Sequence, residues 1–444
     1  MSSLNVAIIG SGLSSLGALA SLERSEHHLS QYMGEENGLL SGGHKLYIND
    51  NLRNGPKLII HKSNLGLKKI ASSLESKYGL NAEDCYKVAG LLTTFASGGL
   101  SNFWGGACHP LLPDENILFK KVGLDIPASL PEIFSFAGHK GPIFDEQDYD
   151  LASSEELSWR RTIQLTNNGI TPLNALSVIN QKKHPKIYEV VKKLELNKNL
   201  IDVISVSSKG DEVVRSYDHV FVAAGIQSSS LLASGLLGKS LDAAFFQNDQ
   251  SIFFGKYRFS SLDLKTINST AAPSLILSIN GLRFYIQLYP VKHFHPLEFY
   301  PPNQMPNEGY LFGYIYAEYD NSEVIKVQSH DDKHLNYTIC GVKNSCDSST
   351  KGKIKELLRS VGVNIWSGII PLAAGCSQHF SSSLYVGNRY SVLGSNFGED
   401  MGDKLGNRVH FVDSSIFPQT PLCTIGLTSA AVAYAKVDKW RHQV

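Results

Sequence analysis

Within its first 22 residues the chain commits to a strand, a glycine turn and a helix. Asn5-Val-Ala-Ile-Ile9 is a short apolar run, Gly10-Ser-Gly12 follows, and in Leu13–Leu22 the residues Leu13, Leu16, Leu19, Ala20 and Leu22 roughly keep a helical period. A strand that breaks at glycines and re-enters as a helix aims the first helical amides at the turn, where a phosphate can be bound. Gly10 permits the turn and Gly12 lets the backbone approach a pyrophosphate. Ser15, next to Ser14 in the helix start, is the small residue at the third position of the pattern. Glu35 or Glu36 lies one or two positions beyond the place where an acidic side chain would hold ribose hydroxyls. The reading is a dinucleotide-binding unit; its plainer alternative is an ordinary glycine-rich strand–helix turn.

Composition narrows the class. The 444 residues allow two to four domains at roughly 100–200 residues each. Apolar residues at 42% and charged residues at 18% describe a globular chain and exclude intrinsic disorder. Lys and Arg number 41, as do Asp and Glu, so the cation excess of a general nucleic-acid binder is missing and no nucleic-acid partner is expected. The six cysteines form no C-x-x-C pair, which argues against a disulfide framework or a standard zinc site, so no metal is expected. Residues 1–9 lack a basic leader, and no segment reaches the ~20 apolar residues of a membrane span. The expected location is cytoplasmic, with no membrane span.

Along the chain, a second strand is expected before Gly34, with Ile70–Tyr78 the best helix of the next stretch. Residues 111–184 read as loops and irregular helices, and Ile187–Leu196 as a helix. Ile201–Ser207 and Glu212–Arg215 alternate around a Lys209-Gly210-Asp211 turn, as a hairpin does. Val220–Ala224 reads as a buried strand leading through Gly225 into a helix. From 241 to 340 aromatic-rich alternating runs indicate an antiparallel sheet, followed by helices at Gly352–Val361 and Thr424–Trp440 around a strand at Arg408–Val412.

Three further strings carry chemistry. Ala223-Ala-Gly225 ends a strand without bulky side chains, so another backbone segment can close over a bound group. Ser97-Gly-Gly-Leu-Ser-Asn-Phe-Trp-Gly-Gly106 has paired glycines whose amides can lie against a planar ring, with Ser101 and Asn102 able to hydrogen-bond its heteroatoms. His379-Phe-Ser-Ser-Ser-Leu-Tyr-Val-Gly387, with Val409–Pro418 and Thr424, offers an imidazole suited to take a hydroxyl proton near neutral pH.

These four segments, in this order, resemble the glucose–methanol–choline flavin oxidoreductases. The opening turn is similar to that family's FAD pyrophosphate loop. Gly98-Gly99-x-Ser101-x-x-Trp104 looks like its flavin-contacting segment, Ala223-Ala224-Gly225 with Ser229 like its A-A-G string, and His379 like its catalytic base. Val412-Asp413-Ser414-Ser415-x-Phe417-Pro418 resembles the element whose Asp faces the FAD. The resemblance implies an α/β fold: a Rossmann-like FAD-binding domain of discontinuous segments (1–110, 185–240 and 376–444) with an inserted antiparallel-sheet substrate domain (111–184 and 241–375). It implies oxidation of an alcohol, a sugar hydroxyl included, by hydride transfer to noncovalent FAD, with Asn102 and Thr420 beside His379. The partners implied are a small-molecule alcohol or sugar and an electron acceptor that the sequence does not name. Departures from the family pattern are Thr420, where a second His or Asn is usual, Ser382 in place of a glycine, and Phe103 where covalent relatives carry His. Two alternatives stay open: a flavoprotein with isomerase or hydratase activity, and a noncatalytic FAD-binding relative.

Gly235-Leu-Leu-Gly-Lys-Ser240 reads as a helix C-cap, because a phosphate-binding loop would follow a strand. His293-x-His295 lacks a third metal ligand. The tyrosines between 285 and 316 read as sheet core before a sugar-stacking platform.

Overall fold

Val6, Ala7 and Ile8 are fully buried, as a continuously apolar strand requires when both faces of its sheet are covered. They belong to β1 (Asn5–Ile9), which runs through Gly12 into α1 (Leu13–Leu22) and on to β2 (His28–Tyr32). β3 (Lys186–Ile187), β4 (His219–Val222), α2 (Ile226–Leu237), β5 (Val409–Phe411) and α3 (Ile425–Arg441) complete this part. The five strands are parallel in the order β5-β4-β1-β2-β3. This is a computed structural model; it describes residues 3–34, 97, 107–139, 157–160, 163–164, 166–167, 171–172, 175–238, 242–257, 274–290, 310–318, 324–331, 334–340, 346–371, 379–384, 407–422 and 425–444.

Each face of the parallel sheet has its own cover. On one, Val6, Ile8 and Phe221 pack with Leu16 and Leu19 of α1 and with Ala430, Val437 and Trp440 of α3. The two helices touch backbone to backbone: a Cβ on Gly17 would lie 1.9 Å from the Ala430 carbonyl oxygen. On the other, Ala7, Ile9, Val220 and Val222 pack with α2 and with Leu194, Ile201 and Val203 of a three-stranded antiparallel sheet (Val190–Asn197, Leu200–Val206, Glu212–Tyr217).

A six-stranded antiparallel sheet follows, in the order 363–371, 250–257, 310–317, 282–290, 274–279, 157–160. One of its faces, with Leu275, Leu277, Phe284, Ile286 and Ile315, packs under Ile354, Leu357 and Leu358 of the helix Ser348–Ser360. A four-stranded sheet brings the strand Asp242–Gln247 beside Phe380–Ser381. The fold is α/β, a parallel sheet with helices and separate antiparallel sheets, as expected.

One expectation needs correction, and one stretch divides between two cores. The segment read as a helix at Ile187–Leu196 is the strand Val190–Asn197, paired antiparallel with Leu200–Val206. Val190 and Leu194, four apart, satisfy a helix face and a strand face equally; Lys198, at φ 53°, closes a hairpin that settles the choice. The stretch 111–184, grouped by sequence with the antiparallel part, divides. Its strand Leu157–Arg160 joins the six-stranded sheet, whereas Phe119, Ile133, Phe134 and Ile179 of its helices pack with α1 and α3. Apolar helix faces follow the nearest unfilled core, which local sequence does not name. The helix expected at Ile70–Tyr78 and the His293-x-His295 pair lie outside the described residues.

Candidate active site

The parallel strands all end on one edge, and the first singular feature there is Gly10. Its φ of 119° suits glycine alone, and a Cβ would sit 2.2 Å from the Ala223 carbonyl oxygen. The β1–α1 turn therefore abuts the end of β4, where Ala223 donates its amide to Ile9 O at 2.8 Å. Gly12 caps α1 with no side-chain acceptor on the first-turn amides, and no acidic residue occurs in that turn. Ser14 and Ser15 are buried in the first turn, and Ser15 Oγ donates to Gly12 O at 2.7 Å.

A polar relay reaches this turn from behind. Gln31 of β2, fully buried, donates through Nε2 to Gly10 O at 2.9 Å. Its Oε1 therefore accepts, and the donor is His184 Nε2 at 2.7 Å, which fixes the proton on that nitrogen. Burial, aided by Lys186 and Lys182, pushes His184 down to about 4 and keeps it neutral. Sequence reading missed Gln31; a glutamine inside a strand of a parallel sheet was the available signal.

At the neighbouring strand ends, Gly225 adopts φ 82° and donates its amide to Asp413 Oδ2 at 2.9 Å, with Ser229 Oγ donating to the same oxygen. Ser415 N donates to Asp413 Oδ1 at 3.0 Å. Asp413 is buried, and burial raises its pKa against these donors. Lys436 of α3, pushed down to about 8 by burial, donates to Phe411 O and is drawn to its charged form by Asp413. Ala224 is half-buried beside Gly225.

The histidine segment docks onto this same corner. Ser382 N donates to Ser414 O at 3.0 Å and Leu384 N to Ser415 O at 2.7 Å, while the hydroxyls of Ser383 and Ser230 lie 2.7 Å apart. Ser382 takes φ 69°, a left-handed conformation that explains why glycine suits the position. His379 stacks on Tyr316 of the six-stranded sheet, with ring centres 4.8 Å apart and planes 9° from parallel. Burial pushes its imidazole down to about 4, so the ring is neutral at pH 7. Thr420 Oγ1 is buried between Ser381 Oγ, 2.5 Å away, and Phe246 O at 3.3 Å. A hydroxyl bound on both sides inside the protein orients its neighbours and is not a base.

Gly10, Gly12, Ser14, Ser15, Ala224, Gly225, Asp413 and Ser414 thus lie along one strand-end edge, with His379 and Thr420 on the segments joining it to the antiparallel sheets. Glu35, Glu36, Gly98, Gly99, Ser101, Asn102, Trp104 and Thr424 lie outside the described residues. The donor chemistry fits a dinucleotide: an uncapped helix start, a side-chain-free turn, and no carboxylate in that first turn to repel phosphate. Among the described residues no cluster of three His, Cys, Asp or Glu could hold a metal, and no helix is long and apolar enough to cross a membrane.

No family model matches the sequence, and no curated protein matches it. In structure, 598 solved chains match, so the fold alone does not choose a reaction. One is the crystal structure of pyridoxine 4-oxidase from Mesorbium loti, with a TM-score of 0.57 over 99% of both chains at 12% sequence identity.

Proposed function

We propose that this protein is an FAD-dependent oxidoreductase that oxidises an alcohol, with His379 as the base. The observation carrying the proposal is the docking of the His379 segment, through Ser382 and Leu384, onto the Ser414–Ser415 turn at the strand-end edge that suits a dinucleotide. The similarity of fold to an oxidase named for pyridoxine agrees with it. Bound FAD supplies the two-electron acceptor that alcohol oxidation needs.

The chain's own residues have definable tasks. The Gly10–Gly12 turn and the start of α1 would hold phosphate through backbone N–H groups, and by the resemblance Glu35 or Glu36 would hold ribose hydroxyls. By the family resemblance, Gly98, Gly99, Ser101, Asn102 and Trp104 would be the residues that contact the flavin. Asp413 orients the Gly225 turn through its bonds to Gly225 N and Ser229 Oγ. The neutral His379 accepts the hydroxyl proton at a ring nitrogen as the adjacent carbon gives up hydride. Stacking on Tyr316 sets the plane of the imidazole and so the direction of that transfer. Ser381 and Thr420 brace the segment that carries it.

The test begins with the visible spectrum of the purified protein, which shows the two bands of oxidised flavin on this reading. Anaerobic mixing with alcohols then bleaches those bands, and His379→Ala slows bleaching by about 10² to 10⁴. Bleaching at the wild-type rate in that variant removes His379 from the mechanism.

A further inference from the structure

The chain from Thr420 to Leu422 is buried yet belongs to no helix or strand. Backbone in such a place must find its hydrogen bonds outside itself. Pro421 has no N–H to give. Leu422 N donates to Glu115 Oε1 at 2.7 Å, and Pro421 O accepts from Asn248 Nδ2 at 2.6 Å. Glu115 is 1% exposed and Asn248 is fully buried.

Both side chains come from far along the chain. Glu115 stands in the first turn of the helix Pro113–Lys121, where its Oε2 accepts from Leu112 N at 2.9 Å. That bond alone serves the helix start. The other carboxylate oxygen is committed to Leu422, 307 positions away. The neighbouring Asp114 accepts from both terminal nitrogens of Arg283 at 2.8 Å, which ties the helix start to the strand carrying Tyr285. Asn248 lies between the strands Asp242–Gln247 and Gln250–Tyr257. A carboxylate and a carboxamide from two separate elements thus bracket three residues.

The bracketed segment meets the His379 segment twice. Thr420 Oγ1 lies 2.5 Å from the hydroxyl of Ser381, which follows His379 by two residues. Leu422, together with Leu112, packs with Tyr285 and Tyr316, and Tyr316 is the ring on which His379 stacks. One contact fixes the backbone that carries the imidazole. The other fixes the ring that sets its plane.

We propose that Glu115 and Asn248 are positioning residues for His379, holding the 420–422 segment so that Tyr316 and Ser381 present the imidazole in one orientation. This rests on the reading of His379 as base given above. The test follows His379 itself, through the Cε1–H signals of the purified protein carrying labelled histidine. His379→Ala identifies the signal by its loss, and Tyr316→Leu shows where it lies when the imidazole is unstacked. Glu115→Gln leaves a single acceptor where two amides donate, and Asn248→Ala removes the donor to Pro421 O.

Each variant should move the signal toward the Tyr316→Leu position. Each should also slow anaerobic flavin reduction by the best of benzyl alcohol, glucose and 1-hexanol about tenfold or more at saturation, with KM within about twofold. Asp347→Ala, which removes the cap that Thr350 N donates to at 2.7 Å in the helix Ser348–Ser360, should change neither. A wild-type signal or a wild-type rate in a variant strikes that residue from the role. A signal that moves as far in Asp347→Ala overturns the proposal. If Glu115→Gln does not fold, Asn248→Ala decides. Protein without flavin, or flavin that none of these alcohols bleaches, counts against the parent reading, and the histidine signal still decides this one.

Discussion

Gly17 gives the most direct way to perturb the site from outside it. Gly17→Ala adds one methyl to a mid-helix position, which by itself favours the helix by about 1 kcal/mol. The methyl would stand 1.9 Å from Ala430 O and 2.7 Å from its carbonyl carbon. Carbon–oxygen contacts settle at about 3.3 Å or more, so α1 and α3 must separate by roughly 1.4 Å along that line. Backbone cannot step aside as a side-chain end can, so the upper part of the usual overpacking range applies, about 3 kcal/mol. The expected net loss is about 2 kcal/mol.

Gly352→Ala is the control. Gly352 lies in the helix Ser348–Ser360 with nothing within 4 Å of its added Cβ, so that variant should gain about 1 kcal/mol. Urea titrations followed by tryptophan fluorescence, to which Trp440 of α3 contributes, compare the two. Displacing α1 also moves its Gly12 end, so on the proposed flavin reading Gly17→Ala should release flavin at lower urea. A Gly17→Ala protein as stable as wild type, beside a stabilised Gly352→Ala, refutes the close-approach argument.

Two further outcomes follow from buried polar groups. Gln31→Leu keeps the volume but leaves Gly10 O and His184 Nε2 without their partner, so on the proposed function FAD should bind about tenfold more weakly, the equivalent of one hydrogen bond; titration of the apoprotein by flavin fluorescence measures it, and unchanged affinity removes Gln31 from the turn's support. Burial holds His410 at about 3 and His184 and His379 at about 4, below the unfolded value, so unfolding takes up protons and stability should fall as pH drops from about 6.5 toward 4. Asp413 and Glu115, raised by burial, oppose that trend, and urea titrations at pH 7 and pH 5 read the net sign.

What the sequence disclosed follows the range of the interactions involved. Gly10 could be read because a glycine turn after an apolar strand is a local pattern, and the structure adds the Ala223 carbonyl that makes the residue obligatory. The hairpin through Gly210 was legible for the same reason. The 190–197 strand was not, since Val190 and Leu194 satisfy either periodicity and only the partner strand decides. Gln31 and Gly17 escaped notice because each acts on a group brought in from another element, Gly10 and Ala430 respectively. Thr420 was visible as a departure from the family pattern, but its hydroxyl's commitment to Ser381 and Phe246 O comes from distant segments.

The pairing of α1 with α3 joins residues such as Arg24 and Tyr434 that are 410 positions apart. During synthesis, the nascent β1–α1 unit therefore waits with that face uncovered until residues some 410 positions further on have been made. Chaperone dependence in the cell, and poor recovery of chains shortened before α3, are the outcomes to expect from that delay.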